Sequence, residues 1–184
     1  MTPGRREALI LGAAGVAAAA AGFLVGPVLT QSTAERKAQG SQSEDDVLRR
    51  ATLVDLAGKP RRLSEWQGRI LVCNFWATWC APCREEIPML VSEREKYKES
   101  GIEIVGIAID NAAKVGEFTA SLKITYPILL AEADGLDLMR KLGNGSGGLP
   151  YTVVADRRGA VVHRKLGALR EAELDEILRP LAEG

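Results

Sequence analysis

The chain has 184 residues, of which 46% are hydrophobic and 26% charged, close to the averages of globular proteins. This length predicts one domain of ordinary size and excludes a large multidomain assembly. Lys and Arg number 24, as do Asp and Glu, so the formal net charge of zero gives no electrostatic basis for nucleic-acid binding. Three cysteines and one histidine are too few for a disulfide-stabilised scaffold or a Cys/His zinc module.

We predict that residues 1–34 form a membrane anchor or a signal peptide. No charged side chain occurs in residues 8–29, and this stretch would be roughly 33 Å long as a helix, enough to cross the hydrocarbon core of a bilayer. Arg5 and Arg6 precede it, which predicts a cytoplasmic N-terminus and export of the remainder. The length favours a retained anchor, whereas small residues shortly after the stretch favour cleavage, so both interpretations stay open. A buried core helix is disfavoured, because nothing else in the chain is hydrophobic enough to surround it.

The next segment, residues 35–50, is predicted to be a polar linker, because it contains few side chains that could pack.

The remaining residues, 51–184, are predicted to fold as one domain. Its elements, in chain order, are a hairpin over 52–63, a buried strand over 70–76, a helix over 84–100, a buried strand over 102–109, a helix over 112–122, an apolar segment over 126–130, a short helix over 136–142, a hairpin with strands at 151–155 and 160–164, and a helix over 171–181. A helix between strands implies parallel pairing and a hairpin implies antiparallel pairing. The order therefore predicts an α/β domain with a central mixed sheet flanked by helices and an added N-terminal β-hairpin.

Two cysteines lie where the strand at 70–76 leads into a helix, in the motif Trp-Cys-Ala-Pro-Cys at 79–83. Unpaired amides and the macrodipole at a helix N-terminus favour a thiolate, which predicts a lowered pKa for a solvent-facing Cys80. Cys83, one turn further into the helix, should be more buried, so Cys80 is the predicted attacking thiol and Cys83 the resolving one. A zinc site would need more ligands than Cys73 and His163 provide, and a purely structural disulfide closing so short a loop would constrain the unfolded chain little.

The stretch at 74–90, Asn-Phe-Trp-Ala-Thr-Trp-Cys-Ala-Pro-Cys-Arg-Glu-Glu-Ile-Pro-Met-Leu, resembles the active-site segment of thioredoxin-like proteins of the TlpA and ResA type. Further matches occur in the family's order at Asp55-Leu56, Gly58-Lys59, Leu63-Ser64, Gly68, Gly148-Leu149-Pro150, Asp156-Arg157 and Gly159. The resemblance covers roughly residues 51–182. It implies a thioredoxin fold and thiol–disulfide exchange at the Cys80/Cys83 pair outside the cytoplasm, with no cofactor and no metal.

The resemblance also implies a proton-handling group beneath the dithiol. Glu86 matches a glutamate of the family, and a partly buried carboxylate there would have a raised pKa and would accept the proton of Cys83. The alternative is a solvated helix residue like its neighbour Glu85. Asn74 stands where thioredoxins proper have a buried aspartate, and because an amide cannot transfer protons, that role must be absent or relocated.

Three residues are implied to bind substrate: Trp79, Leu149 and Pro150. Pro150 matches the family's cis-proline, whose loop lies against the dithiol, while the alternative is an ordinary turn proline. Tyr151 departs from the threonine frequent after that proline. Cys73 is predicted to be an inert core residue and His163 a structural one.

As an activity, the resemblance implies reduction of disulfides in client proteins, including proteins that await haem or copper during cytochrome c or copper-enzyme maturation. It assigns re-reduction to a membrane electron donor and places a monomeric protein on the periplasmic side of the bacterial inner membrane, anchored there or soluble after cleavage. Two alternatives stay open. The first is an oxidant that forms disulfides, and the second is a copper-binding assembly module that uses both thiols and His163 without turnover.

Overall fold

The computed structural model describes residues 44–132 and 134–184. The membrane segment predicted at 1–34 and most of the linker predicted at 35–50 lie outside these residues. Within the described ranges, no helix has both the length and the apolar character that a membrane crossing requires.

The described residues form a seven-stranded mixed sheet with the strand order β2-β1-β5-β4-β3-β6-β7. The strands are β1 (Thr52–Asp55), β2 (Pro60–Arg62), β3 (Ile70–Trp76), β4 (Ile102–Ala108), β5 (Ile128–Leu130), β6 (Tyr151–Ala155) and β7 (Val161–Leu166). The pairs β3/β4 and β4/β5 are parallel, whereas β1/β2, β1/β5, β3/β6 and β6/β7 are antiparallel. The predicted mixed sheet and N-terminal hairpin are therefore confirmed, and the hairpin extends the sheet by pairing β1 with β5.

Helices cover both faces of this sheet. They are α1 (residues 44–50), α2 (Ala81–Tyr97), α3 (Ala112–Ser121), α4 (Asp134–Lys141) and α5 (Glu171–Glu183), with 3-10 turns at Leu63–Trp66 and Lys98–Ser100. The predicted elements are present with ends shifted by a few residues. The helix predicted over 84–100 starts at Ala81 because Cys80 is its N-cap, and the apolar segment predicted at 126–130 is a strand only from Ile128.

Alternate side chains of β3 enter two separate cores, because successive residues of a strand point to opposite faces. Val72 and Trp76 lie on what we call the dithiol face, in a core with Cys80, Cys83 and apolar residues of α2, α3 and α5. Cys73 and Phe75 lie on what we call the far face, in a core with residues of α1, α4 and the 3-10 turn at Leu63–Trp66. All seven residues of β3 are buried, as are all seven of β4.

Helix α1 differs from the sequence prediction, which assigned residues 35–50 to a linker. Residues 44–50 are helical, and Leu48 is only 2% exposed in the far-face core. The Asp45 Oδ1 atom accepts a hydrogen bond of 2.7 Å from the Val161 backbone N–H, and Arg164 forms an ion pair with Glu44. The polar composition of this short segment concealed a helix that packs through one strongly buried leucine.

Helices α2 and α5 are fixed to each other by polar contacts at the C-terminal end of α2. The Tyr97 hydroxyl donates to Asp175 Oδ1 over 2.6 Å, and Lys96 Nζ contacts the same oxygen at 2.5 Å. Leu174 and Leu178 of α5 are fully buried against the same core as α2. These contacts position the loop before α5, which includes Leu169, beside the dithiol face.

Candidate active site

The two cysteines of the Trp-Cys-Ala-Pro-Cys motif are joined in a disulfide at the first turn of α2, with a Cα–Cα distance of 5.3 Å. Cys80 is the N-cap residue, and its Sγ accepts a hydrogen bond of 3.3 Å from the Cys83 backbone N–H. A helix N-terminus presents unpaired N–H groups and partial positive charge, which stabilise a thiolate at the capping position. The geometry therefore fits an attacking thiol at Cys80 when the pair is reduced.

The two cysteines differ slightly in their exposure to solvent. Cys83 is completely buried, whereas Cys80 is 6% exposed. That is less than predicted for a solvent-facing thiol, because the Cys80 sulfur is bonded to Cys83 and turned toward the first amides of the helix. Trp79, next to Cys80, is 68% exposed, which is unusual for a large apolar side chain.

A cis-proline loop lies beside the end of β3. The Leu149–Pro150 peptide bond is cis, as the sequence predicts, and Pro150 is buried. Phe75 of β3 pairs with Tyr151 of β6, so Pro150 stands next to the end of β3, where the chain turns toward Cys80. Leu149 packs against both cores, the dithiol-face core that includes Cys80 and the far-face core. The structure thus brings Leu149 and Pro150 to the same end of the sheet as the dithiol.

The loop before this proline is held by Asn144, a residue that the sequence did not indicate. Asn144 is 4% exposed, its Nδ2 donates to the Gly148 carbonyl over 2.8 Å, and its Oδ1 accepts from the Gly147 N–H over 3.1 Å. A buried side chain that satisfies the loop backbone from within gives this glycine-rich segment one fixed path. Its signal in the sequence is only one asparagine among glycines and a serine.

Glu86 lies one turn beyond Cys83 and faces the protein interior, with 4% of its surface exposed. Its Oε1 accepts from Asn74 Nδ2 over 2.7 Å and its Oε2 accepts from the Leu169 backbone N–H over 2.8 Å. Burial raises the pKa of Glu86 above its usual value, and the hydrogen bonds from Leu169 and Asn74 oppose that rise. The interpretation of Glu86 as a solvated residue is therefore wrong, and a buried carboxyl lies three residues from Cys83.

The remaining cysteine and the histidine lie apart from this cluster. Cys73 is completely buried on the far face, and burial raises the pKa of its thiol to about 12. His163 is on β7, opposite Val154 of β6, and β6 lies between β7 and β3 in the sheet. Over residues 44–132 and 134–184, no three His, Cys, Asp or Glu side chains are grouped closely enough to hold a metal ion.

Comparisons with known proteins agree with this geometry. The sequence model of the Redoxin family matches residues 38–178. Thiol-disulfide oxidoreductase ResA of Geobacillus kaustophilus is 31% identical over 145 residues, which cover 78% of this chain and 78% of that protein. The ResA of Bacillus subtilis is 28% identical over 137 residues, covering 72% of each chain.

Solved structures confirm the thioredoxin fold. A thioredoxin-family thiol:disulfide interchange protein from Chlorobium tepidum superposes with a TM-score of 0.62 and 31% identity, covering 72% of this chain and 92% of that chain. A secreted disulfide oxidoreductase of Mycobacterium tuberculosis has a TM-score of 0.62 at 23% identity, covering 74% and 99% respectively. At that lower identity the similarity concerns the fold alone.

Proposed function

We propose that this chain, which belongs to the Redoxin family and is a thiol–disulfide oxidoreductase, reduces disulfides of client proteins outside the cytoplasm. The observation that carries the proposal is the Cys80/Cys83 pair at the first turn of α2, with the more exposed of the two cysteines at the N-cap. Exposed Trp79 and the cis-proline loop, at the same end of the sheet, are the proposed client-binding residues together with Leu149.

The reaction consists of two exchanges between sulfurs. The Cys80 thiolate attacks one sulfur of the client disulfide, which forms a mixed disulfide and releases the other client sulfur as a thiolate that takes up a proton. The Cys83 sulfur then attacks Cys80, which forms the intramolecular disulfide and releases the second client sulfur. The client gains two electrons and the protein loses two, so the disulfide of this structure corresponds to the product state.

Glu86 is the proposed acceptor of the Cys83 proton in the second exchange. The thiol of Cys83 is completely buried, so water cannot readily remove its proton, and the carboxyl of Glu86 lies one helical turn away inside the same core. A carboxyl with a raised pKa is better matched to proton transfer near neutral pH than an ordinary one.

Turnover requires a source of two electrons for the Cys80–Cys83 disulfide. The uncharged stretch at 8–29 favours a location at the bacterial inner membrane. We propose a membrane electron donor for re-reduction, and clients with cysteine pairs that must be reduced before haem or copper is attached.

The test is a Cys83→Ala variant, which can attack a client but cannot resolve the mixed disulfide. We expect client proteins that are linked to Cys80, released by dithiothreitol and identifiable by mass spectrometry. A Cys80→Ala, Cys83→Ala variant is the matched control and should trap nothing. Equal trapping by both variants, or by neither, would contradict the proposed exchange.

The direction of electron flow is tested separately by equilibrating the protein with glutathione buffers. A reductant requires a reduction potential well below that of strong disulfide-forming oxidants, which is about −120 mV. A value close to that figure would show that the protein forms disulfides and would reverse the proposed direction.

A further inference from the structure

Asn74 is a buried amide that makes both of its hydrogen bonds through the same atom. Its Nδ2 donates to Glu86 Oε1 over 2.7 Å and to Thr152 Oγ1 over 3.1 Å. Its Oδ1 is buried and has no hydrogen-bond partner among the described residues. A buried acceptor without a hydrogen-bond partner costs folding free energy. The two hydrogen bonds of the amide nitrogen therefore hold the side chain in this orientation.

The strand register explains this orientation. Asn74 of β3 is directly opposite Thr152 of β6, and both residues are completely buried. On the other side, Asn74 pairs with Gly106 of β4, which offers no side chain as a competing partner. The Thr152 hydroxyl therefore lies beside the amide nitrogen, while Glu86 approaches the same nitrogen from α2.

We propose that Asn74 is a positioning residue whose amide, oriented by Thr152, holds the Glu86 carboxyl in its ionised, proton-accepting form. An amide N–H that donates to a carboxylate stabilises its charge, and hydrogen bonds to charged groups are stronger than those between neutral groups. This inference rests on the proposed function, because it concerns how Glu86 takes the proton of Cys83. Asn74 itself transfers no proton.

Among the groups that face Glu86, Asn74 is the one whose hydrogen bond to the carboxylate can be removed by a substitution. The Leu169 N–H belongs to the backbone, and no described Lys or Arg forms a salt bridge with Glu86. Tyr126, just before β5, is a titratable neighbour of Glu86 in the core that also contains Cys80 and Cys83. Burial and, after it, the charge of Glu86 raise the pKa of Tyr126 above its usual value, so the phenol stays neutral near pH 7.

The experiment measures the second exchange as a function of pH. Reduced protein is mixed with excess 5,5′-dithiobis(2-nitrobenzoate), so that Cys80 releases a first thionitrobenzoate and the attack of Cys83 releases a second. In the unsubstituted protein, we expect the second phase to slow on acidification as Glu86 becomes protonated. In Glu86→Gln the proton of Cys83 must go to water or hydroxide, so the second phase should be slower near pH 7 and the acid limb should move to the higher pH at which the Cys83 thiol itself ionises.

Three substitutions then distinguish a positioning role of Asn74 from a purely structural one. Asn74→Ala should move the acid limb to higher pH by roughly one unit, since one hydrogen bond to the carboxylate is lost. Asn74→Asp, which has nearly the same shape, should move it further, because two adjacent carboxyls do not both ionise. Thr152→Val should move it in the same direction by less. A carboxyl-carbon NMR titration of Glu86 should give the same order.

The outcomes distinguish three failures. If the unsubstituted protein gives no second phase, dithiol exchange is wrong, and if Glu86→Gln leaves both the acid limb and the rate near pH 7 unchanged, the role of Glu86 is wrong. If Glu86→Gln moves the limb but the other variants lower the rate equally at every pH, Asn74 is only structural and this inference is overturned. Should the Asn74 variants not fold, an unmoved limb and an unmoved Glu86 titration in Thr152→Val would overturn it equally.

Discussion

The two faces of the central sheet are both densely packed, yet only the dithiol face places ionisable side chains beside a redox-active disulfide. Glu86, Tyr126 and the amide of Asn74 are buried there near Cys83. The far-face core is apolar apart from groups that are paired or inert. Its buried phenol, Tyr151, donates to the Leu142 carbonyl over 2.6 Å. Burial is therefore common to both faces, and the arrangement of polar groups is what separates chemistry from packing.

Cys73 and Cys80 show the same contrast between two thiols. Cys73 is enclosed by apolar side chains in the middle of β3, where burial raises its pKa to about 12 and leaves it protonated. Cys80 caps a helix and lies next to exposed Trp79. Reactivity of a cysteine depends on stabilisation of its thiolate and on access, and here the two sites differ in both respects.

The largest effect should come from serine at each of these two positions. Cys80→Ser removes the attacking thiolate, so we expect insulin reduction in the presence of dithiothreitol to fall to the uncatalysed rate. Cys73→Ser should keep the activity of the unsubstituted protein, while the hydroxyl introduced into the apolar core lowers the free energy of unfolding by about 1–3 kcal/mol. Loss of activity in a folded Cys73→Ser protein would break the contrast between the faces.

Much of this contrast could be predicted from the sequence, because it depends on local pattern. Alternation along β3 predicted a buried, inert Cys73, and the motif at 79–83 predicted the dithiol at a helix N-terminus. The support of Glu86 could not be predicted in the same way. One of its donors is the backbone N–H of Leu169, 83 positions away, and a backbone group has no signature in the sequence.

Short segments fixed by few contacts were the other difficulty. Helix α1 has only two apolar residues, Val47 and Leu48, among charged neighbours, which is too little for a periodic pattern. Asn144 organises its loop through hydrogen bonds to backbone groups, and asparagine is common in any loop. In both places tertiary contacts decide the structure, and the sequence shows only a polar segment.

The next largest effect tests whether the far face contributes stability alone. Leu48→Ala removes a side chain that is 2% exposed and attaches α1 to that core, so we expect the free energy of unfolding to fall by about 3 kcal/mol. Urea denaturation measures this, and disulfide reduction at 25 °C should be unchanged as long as the protein is folded. Leu136→Ala, at a position that is 37% exposed, is the matched control and should cost clearly less. Equal losses for the two variants would show that α1 is not part of the folded core.

The smallest effect concerns the stability that the dithiol face loses by burying a carboxyl. Because burial raises the pKa of Glu86 in the folded protein above the ordinary 4.5, the folded state binds a proton that the unfolded chain has already released. The contribution of Glu86 is therefore most favourable below about pH 4.5 and is lost as the pH rises through the folded pKa, with a slope of at most about 1.4 kcal/mol per pH unit.

Urea denaturation of the oxidised protein over a pH series should thus show a decline that is weaker in Glu86→Gln, since the glutamine does not titrate. The difference between the two proteins is the informative quantity, because carboxyls with lowered pKa values, such as Asp156, give the whole protein an opposite dependence. Glu85→Gln removes the same charge from the exposed side of α2 and is the matched control. If it alters the slope as much as Glu86→Gln does, the effect arises from the charge of the helix, and the buried carboxyl no longer distinguishes one face of the sheet from the other.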